Sequence, residues 1–325
     1  MGRTGLHNEH AALEYLTKIG SSLTPRFFAG GGAVGFLVTE DLGAHPSLLE
    51  LLLGEDPEAA KQGILIFARG LGMLHAQTAG QSEGLRTSLP IAHVPVVEHW
   101  QQVREAVRQL GLPTPRYVDS DVESLTRLLS EPGECQALSS GDFSVVNCKI
   151  AHGTVRFFDF EGACLRHALA DAAVLRYPYP TGGPPWRLPQ EITLQIEAAY
   201  RAELAQVCSV ARDNDRYQRS MAAASAAWTI LRMARLPKVD VGPDRDPWRL
   251  LPPDWRGPVP TRSRRRQLVA IVETCVASAR RARTFEALAD WCECLADALR
   301  GRWPESDGEL PYYPAFTIRQ ADELA

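Results

Sequence analysis

Two strand-like runs, SVVNCKI (144–150) and TVRFFDF (154–160), flank the tripeptide AHG (151–153), and this arrangement constrains the fold more than any other stretch. Gly153 can take positive φ without steric cost, and β-branched and aromatic runs on either side of such a position predict a β-hairpin. The shoulders of the hairpin carry Asp142, Asn147 and Asp159. Positions 147 and 159 lie symmetrically about residue 153, so antiparallel pairing sets Asn147 and Asp159 across from each other, within about one residue of register. Any one of the three is an ordinary turn or edge residue. Together they have the makings of a site, because an amide oxygen facing a carboxylate suits Mg²⁺, a hard cation that takes oxygen ligands from protein and phosphate. Asp142 precedes Asn147 in a loop beginning at Gly141, placed to accept the proton of a hydroxyl close to a metal-bound phosphate.

Around this hairpin the chain is mostly helical. Asn8 reads as the cap of a helix starting at Glu9, with Ala12, Leu13, Leu16 and Ile19 at helical spacing until Gly20. PRFFAG (25–30) and AVGFLVTEDL (33–42) predict a second hairpin. Helical periodicity then runs through SLLELLL and AAKQGILIFARGLGMLHAQ (46–80), through VEHWQQVREAVRQL, and again near 121–130. Past about 165 the pattern is helical except for two loops rich in Pro and Trp, 178–189 and 237–262. One helix, two strands, many helices, one hairpin and many helices make an α+β chain with too few strands for a Rossmann sheet.

Several local signals are decoys. Gly30, Gly32 and Gly35 match GxGxxG but open a strand instead of a helix, so a tight turn is expected there and not a phosphate loop. The arginines of TRSRRR (261–266) and RRAR (280–283) read as solvated helix faces, since the chain carries a formal net charge of -4 and no aromatics interleave. No nucleic-acid partner is expected. His75 reads as a satisfied interior histidine. Seven cysteines without a CxxC pair predict reduced thiols, and Cys292 and Cys294 fall on different helix faces. The N-terminus lacks the apolar run of a secretory signal, and no window approaches the roughly 18 apolar residues of a membrane span. The expectation is a cytoplasmic protein without a membrane partner.

The stretch S-G-D-F-S-V-V-N (140–147) followed by F-F-D-F-E-G-A (157–163) resembles the H-G-D-x-x-x-x-N and I-D-F-E motifs of the aminoglycoside phosphotransferase family, small-molecule kinases with a protein-kinase-like fold. Other pieces fall in the family's order. NEHAALEYL is similar to its N-lobe helix, FLVTEDLG to the strand and hinge at adenine, LGMLHA to its L-x-x-L-H helix, and ALADAA (168–173) to the segment after the metal loop. The resemblance spans roughly residues 8–175, and the helical remainder suits the family's variable C-terminal part.

The resemblance implies an α+β, protein-kinase-like fold with a reduced N-lobe sheet at 1–43 and a large, mainly helical C-lobe at 44–325. It implies Asp142 as catalytic base, Asn147 and Asp159 as Mg²⁺ ligands, and Glu9 as the carboxylate that orients a phosphate-binding lysine. Glu40, Asp41 and Leu42 would offer backbone groups to the adenine of ATP or another nucleoside triphosphate. The implied reaction moves the γ-phosphoryl group to a hydroxyl of a small molecule, an aminoglycoside or other amino sugar or alcohol. Oligomeric state is left open, although a sheet edge at 25–42 would invite pairing with another chain. Ser140 stands where the family has a histidine that braces the catalytic loop. The glycine-rich strands and the lysine strand have no counterpart before Asn8, so a catalytically impaired, pseudokinase-like binding protein is the alternative expectation. Asp171, Glu191 and Glu197 read as surface carboxylates in a region that could meet a cationic substrate.

Overall fold

The computed structural model describes residues 3–31, 35–80, 83–177, 186–251, 255–256 and 259–317. Helix α1 (Arg3–Lys18) begins earlier than expected. Asn8 lies inside it, not at its cap, because its side-chain amide is taken by a tertiary partner, donating to the Glu161 carbonyl at 3.3 Å. Gly20, at φ +71°, stops it. The expected hairpin follows as β1 (Phe27–Gly31) and β2 (Phe36–Thr39), antiparallel, with Gly31 opposite Phe36. Gly30 and Gly35 both have positive φ, and the β1–β2 pair closes around them as a strand turn. Gly32 lies outside the described residues. Phe28, Phe36 and Val38 remain exposed on this pair.

Helix α2 (Leu48–Leu53) starts at a capping box formed by Ser47 and Glu50. Helix α3 (Pro57–Thr78) is capped by Asp56, with Pro57 at its first position. After α4 (Glu83–Arg86), helices α5 (Val96–Gln109) and α6 (Asp119–Ser130) cover the spans read as amphipathic.

The central hairpin is two ladders long. Strands β3 (Gln136–Ser139), β4 (Cys148–Ala151), β5 (Thr154–Phe157) and β6 (Cys164–His167) nest, with β4 on β5 inside and β3 on β6 outside. His152 and Gly153 make the turn, both at positive φ, as the two-residue hairpin turn requires. The outer ladder was not expected, since QALS and CLRH are too short to show a period and pair only once the inner strands bring them together. Segments 140–147 and 158–163 are left facing each other between the ladders.

Beyond it come α7 (Ala168–Ala172), α8 (Gln190–Leu204), α9 (Ser209–Arg212), α10 (Asn214–Met233) and α11 (Leu236–Val241). A short pair, β7 (Arg245–Pro247) with β8 (Thr261–Ser263), lies within the stretch read as loop, and α12 (Arg264–Ala282) and α13 (Glu286–Arg302) complete the described elements. The class is α+β, mainly helical with small sheets, as expected. One apolar cluster joins Leu13 and Leu16 of α1, Phe67 and Leu71 of α3, Val155 and Phe157 of β5, and Tyr200 of α8. A second joins α5 and α6 with α10, α12 and α13.

Two expectations about side chains change. Cys135 and Cys208 form a disulfide, with Cα atoms 6.0 Å apart, so these two are not reduced thiols. The fold supplies the adjacency by laying the end of α8 beside the start of β3. Cys292 is buried and Cys294 exposed, on different faces as read. The arginines of TRSRRR are half-buried, with Arg262 and Arg264 paired to Asp246, whereas Arg280, Arg281 and Arg283 are exposed as read, Arg280 facing Glu286, Asp290 and Glu293.

Helix α3 is wedged between the hairpin and α8 by its glycines. A Cβ at Gly70 would lie 2.1 Å from Val155 Cγ1, and one at Gly72 would lie 2.6 Å from the Tyr200 carbonyl oxygen. A backbone oxygen cannot swing away. Gly72→Ala is expected to lower the unfolding free energy by about 1–3 kcal/mol through overpacking. Gly301→Ala in α13, where a Cβ meets nothing, is expected to raise it by about 0.4–1 kcal/mol. Urea titrations of the two variants check both signs.

Candidate functional site

The two facing segments between the ladders hold the residues singled out in the sequence. Cys148 pairs with Phe157, and the next bond outward runs from the Phe158 N–H to the Asn147 carbonyl at 3.1 Å. Asn147 therefore stands opposite Phe158, and Asp159 is offset by one residue. The backbone at Asp159 turns left-handed, φ +66°, which redirects its side chain. That conformation costs an L-residue roughly 1–2 kcal/mol and is best tolerated by Asn and Asp. Strain of this kind at an acid on a loop is a marker of function.

Asn147 is tied back to the other acid: its amide donates to the Asp142 carbonyl at 3.2 Å, and the Ser144 N–H reaches the same carbonyl at 3.1 Å. Asp142 itself is exposed. What brings the two segments together is a contact between glycines. Gly141, at φ +91°, sits so that a Cβ would fall 2.5 Å from the Gly162 carbonyl oxygen. A Cβ at Gly162 would in turn meet the Ser140 carbonyl at 3.0 Å. Asp142 follows one of these glycines and Asp159 precedes the other by three positions, so the contact holds both acids in one neighbourhood.

Beneath the loop lies a buried polar cluster that the sequence reading missed. Asp171, read as a surface carboxylate, is 2% exposed. Its carboxylate accepts from Arg166 and from Ser139 Oγ at 3.1 Å and lies 3.3 Å from His75 Nε2. Ser139 Oγ also accepts the Gly141 N–H at 2.9 Å, and Arg166 reaches the Gly141 carbonyl at 3.4 Å. Ser140, in the position of the family's histidine, accepts the Asp142 N–H on its hydroxyl at 3.3 Å. The bracing of the loop thus passes through Asp171. Burial pushes the Asp171 carboxyl up, but Arg166 and His75 outweigh it and leave it below its ordinary value. His75 is interior, as expected, with Tyr200 OH at 2.8 Å from its Nδ1, while its Nε2, turned to Asp171, makes no hydrogen bond among the described residues. Glu197, also read as surface, is buried against Arg176; Glu191 is exposed.

Helix α1 closes one side. A Cβ on Gly5 would touch Glu161, and Glu9 lies against the Phe160 backbone N–H among the charges of Asp159 and Glu161. Its carboxyl is raised, first by burial. Among the described residues Glu9 makes no ion pair with a lysine, so its place is beside the metal-loop candidate. Asp159 is likewise raised, by burial first and then by the charges of Glu161 and Asp142. Uncompensated negative charge at this point is what a bound divalent cation would relieve, and Asn147 and Asp159 carry oxygen donors of the kind Mg²⁺ takes. They do not form a closed cage. Among the described residues one group of three His, Cys, Asp or Glu ligand atoms lies within 4.8 Å, Glu134 with Cys135 and Cys208, and its two sulfurs are bonded to each other.

At the hinge, the Glu40 N–H is engaged by the Arg26 carbonyl at 2.8 Å. The Glu40 carboxylate accepts from the Arg26 N–H at 3.0 Å and from Arg156, which hold it below the usual carboxylate range. Asp41 caps the Gly43 N–H at 2.8 Å. Among the described residues no backbone hydrogen bond engages Asp41 or Leu42, which leaves the N–H and carbonyl groups of both as donors and acceptors of this segment. A cleft of about 740 Å³ lies elsewhere, between α8 and α12, and none of Asp142, Asn147 or Asp159 lines it. No helix among the described residues is long and apolar enough to cross a membrane.

Two measurements check these electrostatics. His167 is buried and accepts the Leu169 N–H on Nδ1 at 3.2 Å; burial, and then His75, push it down to about 4. A histidine near 6.5 when unfolded and about 4 when folded contributes stability that is complete above pH 6.5 and is lost as pH falls towards 4, up to about 3 kcal/mol. His167→Asn keeps an acceptor and is expected to flatten that part of the stability–pH curve. Asp159→Asn removes like-charge repulsion, so with EDTA it is expected to raise the urea midpoint at pH 7, whereas with Mg²⁺ and ADP the wild-type chain becomes the more stable.

No family model matches the sequence, and no curated protein is significantly similar to it. Among solved structures, the chain is similar to a choline/ethanolamine kinase family protein from Mesorhizobium loti, at 15% identity and TM-score 0.49 over 89% of this chain and 84% of that one. It is similar to an aminoglycoside phosphotransferase from Alicyclobacillus acidocaldarius, at 12% identity and TM-score 0.49 over 94% and 85%. An amicoumacin kinase bound to AMP-PNP and Ca²⁺ matches at 15% identity and TM-score 0.44 over 74% and 70%. These are likenesses of general chain path.

Proposed function

We propose that the chain is an ATP-dependent phosphotransferase that moves the γ-phosphoryl group to a hydroxyl of a small molecule. The observation that supports this reading is the glycine contact that holds the loops of Asp142 and Asp159 together, with Asn147 bonded to the Asp142 carbonyl, in a sequence order that resembles the catalytic and metal motifs of the aminoglycoside phosphotransferase family. Asp142, exposed at the rim, accepts the proton of the acceptor hydroxyl. Asn147 and Asp159 would hold Mg²⁺, which supplies charge neutralisation at the transferring phosphates. The Leu42 backbone offers the pair of polar groups that an adenine edge needs. Little covalent chemistry is asked of the protein, so positioning dominates, and the Asp171 cluster supplies it by fixing the loop ahead of Asp142 through Ser139 and Gly141.

A second reading is a binding module of impaired activity. The observation behind it is Glu9, which faces the metal loop and has no lysine among the described residues. One experiment separates them: nucleotide turnover with a panel of hydroxylated acceptors, beside the melting temperature with Mg²⁺ and nucleotide. Asp142→Asn is expected to reduce turnover by about 10²- to 10⁴-fold while keeping the nucleotide-induced shift. Asp159→Asn is expected to lose both. Stabilisation of the wild-type chain by Mg²⁺ and ATP without turnover would establish the binding module instead.

A further inference from the structure

Arg232 lies in the last turn of α10, four residues beyond Trp228. Trp228 shows where that face points. Its indole N–H donates to the Ala170 carbonyl at 2.6 Å, and its ring lies 5.9 Å from the Arg166 guanidinium, which contacts Gly141. Residues four apart share a helix face, so Arg232 leaves α10 on the side of the Asp142 loop. The charges acting on it agree: Asp142 attracts it, and Arg235 and Arg262 repel it. Its Nε is shut off from solvent without a hydrogen-bond partner among the described residues, as are those of Arg264 and Arg265. The difference lies in the ion pairs: Arg262 and Arg264 are held by Asp246 and Arg265 by Glu305, whereas Arg232 forms none among the described residues. Burial, followed by Arg235, pushes Arg232 down to about 10, the mark of a cation lacking its counter-charge.

We propose that Arg232, with the exposed Arg235 beside it, is the anion-binding part of the acceptor site and takes a carboxylate or phosphate group of the molecule whose hydroxyl faces Asp142. The inference rests on the reading of Asp142 as the base. A guanidinium fork matches such groups in two-point fashion, which a cationic acceptor could not use. The acceptor class therefore differs from the amino sugars and amino alcohols that the family resemblance implies.

The same guanidinium chemistry would suit the γ-phosphate of the nucleotide, so the test has separate arms. With Mg²⁺ and ATP, turnover is measured on D-glycerate and glycerol 3-phosphate against glycerol and ethanolamine. The anionic acceptors are expected to be preferred, and Arg232→Gln to raise their KM by about 10- to 100-fold with KM for ATP little changed, Arg232→Lys recovering part of the loss. A rise in KM for ATP alone would assign Arg232 to the nucleotide and overturn the inference. Preference for glycerol or ethanolamine, unaltered in Arg232→Gln, would overturn it as well. If no acceptor turns over, thermal stabilisation by D-glycerate and by inorganic phosphate decides. A shift lost in Arg232→Gln and kept in Arg232→Lys supports the anion site while the phosphotransferase reading falls; equal shifts in wild type and Arg232→Gln overturn the anion site.

Discussion

The contact between Gly141 and Gly162 is the constraint on which the rest of the site depends. Two backbones approach there more closely than any pair of side-chain-bearing residues allows, and the loops carrying Asp142 and Asp159 are the ones brought together. The approach is stable because it is enclosed: β4 and β5 close one side, β3 and β6 the other, and Asp171 holds Ser139 and Arg166, which hold Gly141. A buried ionic cluster of this kind is weak evidence for stability, since desolvation offsets much of its attraction. Its value here is directional. It leaves one position for the loop.

The charges around that loop divide by side. Towards α1 lie Glu9 and Asp159, both raised by burial first and then by neighbouring acids, Glu161 among them. Towards α10 lie Arg232 and Arg235. Asp142 stands between, subject to both. Local rules of stability are broken on each side, by like charges crowded together and by an arginine that forms no ion pair among the described residues. Such departures are expected where a fold serves a ligand instead of itself. Elsewhere the rules hold more often: side chains cap α2, α3, α10 and α12, and Arg262, Arg264 and Arg280 meet carboxylates.

Much of this was legible in the order of residues, and the misses have physical causes. The turn at His152 and Gly153 was readable because a two-residue turn between β-branched runs is a local event. The one-residue offset of Asp159 falls within the expected register, but its left-handed backbone was not readable, since a count about residue 153 cannot see a turn just past the ladder. Helix α1 starts early because residues before Glu9 pack on Glu161, a contact that for Asn8 spans 153 positions of the chain and is invisible to capping rules. Asp171 and Glu197 looked like surface acids because burial of a charge depends on partners, Arg166 and Arg176, that lie in other elements. The disulfide between Cys135 and Cys208 joins positions whose spacing carries no signal.

Short-range physics decided what the elements are. Apolar periodicity, β-branched runs and turn glycines were enough to place the helices, the two hairpins and the three polar residues on the shoulders of the central one. Tertiary structure alone decided what those residues face. Which acids are left without a cation, which arginine is left without an anion, and which backbones can touch are properties of surfaces brought together from distant parts of the chain, and charge acts through space, not along the sequence.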